Sequence, residues 1–187
     1  AKLADYHIRL RPGTNVAVLN MMLYFIIESK LHKEDFILSR TEGFENFLKE
    51  IKKLDIDHLA KVAGVDKQQV KEAAIAYATA KNSMEFHGLG VTEQEQGSKT
   101  VMLIADLAMI TGNIGRPGVG VNPLRGQNNV QGAADMGCQP HQGAGYFPVA
   151  DEKIQNFYTE KYGVVHPTKA GLKIPEIFDA AINKEVK

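Results

Sequence analysis

The fold is decided by a short strand-like run that ends in glycines, Met84-Glu85-Phe86-His87-Gly88-Leu89-Gly90. Asn82 and Ser83 end the helix that precedes it, and residues 84–89 predict a strand. A loop over 90–97 and an apolar helix over 99–111 follow. A strand that leads through a loop into such a helix is typical of an α/β layer fold with a parallel sheet.

The residues before this run predict one more strand and a series of helices. Residues 6–10 alternate apolar and polar side chains, as a strand does. Pro12-Gly13-Thr14 predicts a turn, with Thr14 or Asn15 as the N-cap of a helix over 16–29. That helix is apolar on nearly every face, so we expect it to pack deep against a sheet. Further helices are predicted over 33–40, 43–53, 57–62 and 67–80, with Asp66 as the last N-cap.

The residues after the 99–111 helix are rich in glycine. Nine of the 34 residues from 112 to 145 are glycine. A long stretch without regular structure inside a compact chain is usually a functional loop or a linker. Helices are predicted again over 151–162 and 174–186. The whole pattern predicts an α/β layer fold with a parallel sheet, followed by a long glycine-rich loop or linker.

Composition and charge exclude several classes of protein. The chain carries 22 basic and 22 acidic residues, so no net field attracts nucleic acid or a membrane surface. Its most apolar stretch, residues 16–27, is too short to span a bilayer. Cys138 is the single cysteine. An iron–sulfur cluster needs about four thiolates, so this chain cannot hold one by itself.

Two loops carry candidate binding chemistry. Residues 88–93 follow a predicted parallel strand, where ligands bind in open α/β sheets, although the same glycines also suit a tight turn. In residues 125–132, Arg125 beside a glycine and several amides can bind a planar carboxylate. The alternative is that Arg125 caps helix carbonyls and the amides hold a long loop together. The histidines lack metal-site spacing, and no third group supports a dyad of Cys138 and His141.

Longer motifs identify a family. Asn122-Pro123-Leu124-Arg125-Gly126-Gln127-Asn128-Asn129 lies within the segment 120–133, which together with 88–93 and 107–118 resembles the catalytic subunit of formate dehydrogenase. That subunit is a molybdopterin oxidoreductase of the dimethyl sulfoxide reductase type. Residues 10–17 and 40–45 fit the same subunit in the same order. The similarity covers about nine tenths of the chain and weakens after Tyr146.

The resemblance implies a cofactor and a set of site residues. Such enzymes hold molybdenum or tungsten on two molybdopterin guanine dinucleotides, with a selenocysteine or cysteine and a histidine beside the metal, and they carry one [4Fe–4S] cluster. The ligands of both centres are expected upstream of this segment, so no metal ligand is assigned here. Arg125 matches the arginine that holds the formate carboxylate. The expected cofactor-binding residues are Gln127 near the pterin, Leu89, Gly90 and Glu93 along one cofactor, and Pro12, Gly13 and Asn15 at the guanine end.

Asn15 departs from the family pattern. The resemblance leads us to expect an aspartate there, because a carboxylate accepts hydrogen bonds from both N1 and N2 of guanine. Asparagine offers one carbonyl oxygen and no charge. We therefore expect weaker guanine binding at this position than in the family pattern.

The resemblance also implies domains, function and partners. It implies an α/β fold with a partial Rossmann-like parallel sheet layered with helices, followed by a glycine-rich active-site loop and the start of a further domain. Residues 1–127 correspond to the C-terminal half of a molybdopterin-guanine-dinucleotide-binding α/β domain, and residues 128–187 to the beginning of the next α/β domain. We expect the parent protein to oxidise formate to carbon dioxide, to pass electrons to iron–sulfur subunits, and to be cytoplasmic. The segment alone is expected to be inactive. Two alternatives stay open: another molybdopterin oxidoreductase, such as a nitrate reductase or a non-catalytic respiratory-complex subunit, or a cofactor-binding module without activity.

Overall fold

The computed structural model describes residues 3–186. Ala1 and Lys2, at the start of the predicted first domain, and Lys187, at the end of the second, lie outside the described residues. The chain divides into two compact units, Ala1–Leu124 and Arg125–Lys187. Each unit has its own packing.

The first unit is dominated by helices and contains a small sheet. Its helices are α1 (Asn15–Glu28), α2 (Glu34–Arg40), α3 (Phe44–Ile51), α4 (Ile56–Ala63), α5 (Lys67–Thr79), α6 (Leu89–Thr92) and α7 (Gly97–Ile110), and its strands are β1 (Met84–His87) and β2 (Gly120–Pro123). β1 and β2 are parallel, with Met84 opposite Gly120 and His87 opposite Pro123. The predicted α/β class and the parallel pairing are confirmed, whereas the Rossmann-like identity of the sheet stays a prediction.

Helix α1 is the centre of the apolar core. Its side chains Met21, Leu23 and Ile26 are fully buried. The helix packs chiefly on α5, α7 and α4, so the expectation that it packs against a sheet is wrong. An all-round apolar helix needs apolar neighbours on every side, and other helices supply them here as well as a sheet would.

Three sequence predictions are wrong, two of them because strand pairing is a long-range property. Residues 6–10 form no strand; Ile8 and Leu10 pack instead against the helical core. The stretch 112–145 was expected to lack regular structure, but it contains β2, a helix α8 (Val130–Asp135) and a 3-10 turn (Ala144–Tyr146). The predicted loop over 90–97 likewise overlaps α6. In β2 the pairing with β1 overrides the weak strand preference of a segment with glycine and proline.

The predicted helix N-caps are confirmed in part. Asp66 Oδ1 accepts from the backbone N–H of Gln68 at 2.9 Å, as the sequence predicts. Thr14 stands at the N-cap of α1, but its hydroxyl donates to the carbonyl of Arg11 at 2.7 Å and caps no helix amide. Among residues 3–186, no helix is both long and apolar enough to cross a membrane.

The second unit consists of α8, the 3-10 turn, α9 (Glu152–Tyr162) and α10 (Ile174–Ile182). Its glycines permit close backbone packing. Gly137 has φ +85°, and a Cβ there would lie 2.6 Å from the backbone nitrogen of Ala144. The hydroxyl of Tyr158, on α9, donates to the carbonyl of Ala144 at 2.7 Å. The 3-10 turn is therefore held between the end of α8 and α9.

Candidate functional site

The carboxyl ends of the two parallel strands lie side by side. The backbone N–H of Leu124 donates to the carbonyl of His87 at 2.6 Å, directly after β2 and β1 end. A Cβ on Gly88 would lie 3.4 Å from the carbonyl oxygen of Leu124. Because ligands of open α/β sheets bind at this edge, the first unit presents the edge at which the sequence predicted a site.

The predicted residues Leu89, Gly90 and Glu93 lie together at this edge. Leu89 and Gly90 are in the short helix α6, and Glu93 is its C-cap. The Leu89 side chain is 42% exposed, and a Cβ on Gly90 would meet no atom within 4 Å. The loop is thus a tight turn, as the simpler interpretation holds, and it also leaves an open surface on which a ligand can lie.

The predicted residues Pro12, Gly13 and Asn15 form a separate turn in the same unit. The Arg11 guanidinium fixes this turn to the end of α4, where Nη1 donates to the carbonyl oxygens of Lys61 at 2.8 Å and Val62 at 3.1 Å. Asn15 is the first residue of α1, and its amide makes no hydrogen bond within residues 3–186. The backbone N–H groups of Ala17 and Val18 donate to the carbonyl of Thr14, whereas those of Asn15 and Val16 and the Asn15 side-chain amide have no partner within residues 3–186 and can bind a ligand.

In the second unit, Arg125 is held by a neutral side chain. Its Nη2 donates to Oε1 of Gln131 at 2.9 Å, and both side chains are exposed. Within residues 125–186 the guanidinium caps no helix carbonyl, which was the alternative role for Arg125. Gln127 is exposed in the same loop and makes no side-chain hydrogen bond in this unit.

Gln131 belongs to a network that the sequence did not reveal. Its Nε2 donates to the hydroxyl of Tyr146 at 2.7 Å and to Oδ1 of Asp135 at 3.3 Å. The Tyr146 hydroxyl donates in turn to Oδ1 of Asp135 at 2.7 Å. This hydrogen bond to a carboxylate raises the pKa of Tyr146 above its ordinary value. The run 125–132 included Gln131 as one of several amides. The i,i+4 spacing of Gln131 and Asp135 is a local signal that required a helix over these residues to be predicted, whereas no local signal pointed to Tyr146.

A second polar network lies at the opposite, amino-terminal side of β1. Asn113 is 2% exposed, and its Oδ1 accepts from the backbone N–H of Ser83 at 3.2 Å and from Arg116 Nη2 at 2.9 Å. Its Nδ2 donates to the hydroxyl of Thr111 at 2.9 Å. Asn113 therefore ties the end of α7 to the start of β1. This is the physical role of the motif Thr111-Gly112-Asn113, which the sequence showed only as a family resemblance.

A half-buried carboxyl on β1 is paired with a tyrosine. The hydroxyl of Tyr77, on α5, donates to Oε1 of Glu85, while Glu85 Oε2 is buried and accepts no hydrogen bond within residues 3–186. Burial raises the pKa of Glu85, and the Tyr77 hydrogen bond partly offsets that rise. Burial also raises the pKa of Tyr77, and the neighbouring carboxylate adds to the effect.

This pair makes the effect of Tyr77→Phe dependent on pH. At pH 7 the substitution removes the donor to an ionised carboxylate, so we expect a loss of about 1–2 kcal/mol of stability. At a pH below the ordinary carboxyl pKa the group is neutral in both states, and the loss shrinks. Thermal unfolding of wild type and variant at pH 7 and pH 4 measures this difference. A destabilisation of equal size at both pH values would contradict it.

The described residues offer no protein metal site. Within residues 3–186, no group of three or more His, Cys, Asp or Glu side chains is placed to hold a metal ion, and Cys138 is exposed. The first unit presents a glycine-lined sheet edge and a free amide at a helix start, and the second unit presents a guanidinium with unused N–H groups. Each of these groups by itself can bind a polar or anionic part of an organic ligand.

Comparison with known proteins defines the class of protein. The family model of the molybdopterin oxidoreductases matches residues 1–178, and the chain belongs to that family. A solved structure, the acetylene hydratase from Pelobacter acetylenicus, matches 63% of this chain and 16% of its own with a TM-score of 0.58 at 24% identity. At that identity the match supports the fold alone.

Several relatives of the chain are formate dehydrogenases. The chain is 42% identical over its full length to formate dehydrogenase H of Escherichia coli, strain K12, and 43% identical to the F420-dependent formate dehydrogenase subunit alpha of Methanocaldococcus jannaschii. It spans 26% and 27% of those proteins. It is also 33% identical, over 87% of its length, to the assimilatory nitrate reductase catalytic subunit of Bacillus subtilis, of which it spans 23%.

Proposed function

We propose that the protein containing this chain oxidises formate to carbon dioxide, and that Arg125 binds the formate carboxylate. The observation that supports the proposal is the hydrogen bonding of the Arg125 guanidinium. Its one hydrogen-bond partner within residues 125–186 is the neutral amide of Gln131, so its charge is not cancelled and its remaining N–H groups are free. A fixed, always-charged guanidinium binds a carboxylate through two parallel hydrogen bonds.

Binding in this manner orients the substrate. Formate has two equivalent oxygens and one C–H bond, which point in opposite directions. A guanidinium that holds both oxygens therefore aims the C–H bond away from Arg125, toward the place where a redox centre has to lie. Formate leaves as carbon dioxide after losing one proton and two electrons. When bound, the molybdenum or tungsten of a bis-molybdopterin guanine dinucleotide would supply the acceptor for the two electrons.

The cofactor contacts follow from the same proposal. Leu89, Gly90 and Glu93 would lie against one molybdopterin at the open edge after β1, and Gln127 would donate to or accept from the pterin region. Pro12, Gly13 and Asn15 would meet the guanine end. The unused amide of Asn15 and the open space beside Gly90 support these roles.

Electron-transfer partners and the remainder of the polypeptide complete the proposal. On the basis of family similarity, the proposal includes a [4Fe–4S] cluster, iron–sulfur subunits and a cytoplasmic location. Helix α10 supports contact with further protein, because Ile174, Phe178 and Ile182 are 72%, 67% and 78% exposed along one face. Since the chain spans about a quarter of its relatives, the remainder of the parent chain is the partner we assign to this face.

The test is anaerobic reduction of a redox dye by the full-length protein, in a preparation shown to contain metal and pterin. We expect formate to support dye reduction and the 187-residue chain alone to be inactive.

The similarity to an assimilatory nitrate reductase favours nitrate reduction as a second candidate function, which is tested by oxidation of a reduced dye with nitrate. Nitrate reduction without formate oxidation would replace the proposal. Retention of pterin without either activity would identify a cofactor-binding module.

Asn15→Asp is expected to strengthen cofactor retention in the full-length protein. A carboxylate accepts from both N1 and N2 of guanine, where asparagine accepts with one oxygen, and a charged acceptor adds about 1 kcal/mol or more. The pterin content per protein after dialysis should therefore rise, by up to roughly fivefold where wild-type occupancy is low. Asn46→Ala, on the exposed face of α3, is the control. Unchanged or lower retention in Asn15→Asp would place guanine elsewhere.

A further inference from the structure

We propose that Gln131 is a positioning residue that, together with Tyr146 and Asp135, fixes the Arg125 guanidinium in the orientation that accepts a carboxylate. The inference rests on the proposed function, because it assigns a partner to the substrate-binding arginine. It goes beyond that function in naming the side chains that hold the arginine in place. All four residues belong to the second unit.

The hydrogen bonds form one connected chain. Asp135 Oδ1 accepts from the Tyr146 hydroxyl at 2.7 Å, and that hydroxyl accepts from Gln131 Nε2, also at 2.7 Å. Gln131 Oε1 then accepts from Arg125 Nη2 at 2.9 Å. Each link has normal hydrogen-bond length.

The hydrogen bonds of this network can run in one direction only, because the residue at one end can only accept hydrogen bonds and the residue at the other end can only donate them. Asp135 as a carboxylate only accepts, and Arg125 only donates. Tyr146 must therefore donate to Asp135 and accept from Gln131, which turns Gln131 Nε2 toward Tyr146. The amide oxygen is left facing Arg125. The rotated amide would place Nε2 against the guanidinium and Oε1 against Asp135, and both contacts would be lost.

The neutrality of Gln131 is the second part of the argument. A carboxylate in its place would also accept from Arg125, but it would cancel the positive charge and compete with the substrate for the guanidinium. Asp135 is the carboxylate of the network, and it is linked to Arg125 through the side chains of Gln131 and Tyr146. The network thus anchors the arginine to an anion without neutralising it.

The backbone holds the far end of the network rigid. Tyr146 has φ +64°, a conformation that non-glycine residues rarely adopt and that persists only when surrounding contacts impose it. Its backbone N–H donates to the carbonyl of Gly143 at 3.1 Å, and its own carbonyl accepts from Gln142 Nε2 at 3.3 Å. Gly137 packs against residues 143 and 144, so α8, which carries Gln131, and the turn that carries Tyr146 are joined.

The experiment is a double-mutant cycle of formate kinetics in the full-length holoenzyme. Gln131→Ala is expected to raise the formate KM about fivefold to tenfold while kcat falls less than about twofold, since a hydrogen bond to a charged group is lost from an exposed site. Gln131→Glu should raise KM further, because it keeps the acceptor and adds a competing negative charge. In an Arg125→Lys background, Gln131→Ala should change KM by less than about twofold.

The outcomes separate this inference from the proposed function. An unchanged formate KM in Arg125→Lys would overturn both. A raised KM in Arg125→Lys, with Gln131→Ala acting equally in both backgrounds or in neither, would overturn the positioning role alone. If Gln131→Ala does not fold, Tyr146→Phe tests the inference, because it keeps the ring and removes the bridging hydroxyl. We expect the formate KM of Tyr146→Phe to rise about twofold to threefold, and an unchanged KM would contradict the inference. Gln69→Ala, on α5, is the control for unspecific loss.

Discussion

Arg125→Lys is expected to raise the formate KM of the full-length protein by about 30- to 150-fold, which corresponds to roughly 2–3 kcal/mol of lost binding. Lysine keeps the positive charge but has no planar fork. It can meet one carboxylate oxygen at a time, and it also loses the directed hydrogen bond to Gln131. The substrate then binds weakly and in several orientations, so kcat should fall as well.

Steady-state kinetics with formate and a redox dye measure both constants. Arg40→Lys is the matched control, because Arg40 is exposed at the end of α2 and makes no side-chain hydrogen bond within residues 3–186. Metal and pterin content must be equal in the three proteins. If Arg125→Lys kept wild-type KM and kcat, the carboxylate would bind elsewhere and the proposed function would lose its main support.

Asn113→Ala is expected to be the most destabilising of the substitutions considered, by about 2–4 kcal/mol. The variant removes three hydrogen bonds at a site that is 2% exposed, and it leaves the Ser83 N–H without its acceptor. The Thr111 hydroxyl keeps its bond to the carbonyl of Leu107 at 2.7 Å but loses its donor. Because these groups join the end of α7 to the start of β1, the loss should loosen the amino-terminal end of that strand.

Thermal unfolding of the protein measures this effect, and a decrease in Tm of roughly 6–15 °C is expected. Asn46→Ala removes an asparagine from the exposed face of α3 and should leave Tm within about 2 °C. Equal Tm values for the two variants would mean that water replaces the Asn113 contacts without loss.

The helices could be predicted from the sequence because their signals are local. Apolar spacing and N-cap residues such as Asp66 lie within a few positions of the helix that they specify. All eight predicted helices are observed, seven of them with both ends within two residues of the prediction. The second strand could not be predicted in this way. Residues 120–123 contain glycine and proline and become a strand only because β1 lies beside them.

The residues of the candidate site likewise differ in whether local sequence could reveal them. Arg125 and the glycines of 88–93 stand out in the sequence, because a guanidinium beside glycine and amides has a recognisable chemistry. Tyr146 does not, because it reaches Gln131 across 15 residues through a turn with a rare backbone conformation. Asp135 lies four residues after Gln131 in α8, a helix that the sequence did not predict. In the sequence, Asn113 was notable only as part of a family motif. The structure shows its role, because its buried side chain joins the end of α7 to the start of β1.

The sequence by itself determined the family, most helices and the parallel character of the sheet, and it led to the prediction that Arg125 binds the substrate. These properties rest on residue type and short-range spacing. The tertiary structure alone decided that α1 is buried among helices, that β2 forms, and that the amide of Gln131 faces Arg125. Each of these depends on which distant groups become neighbours on folding, since a hydrogen bond or an apolar contact exists only when both partners are brought together.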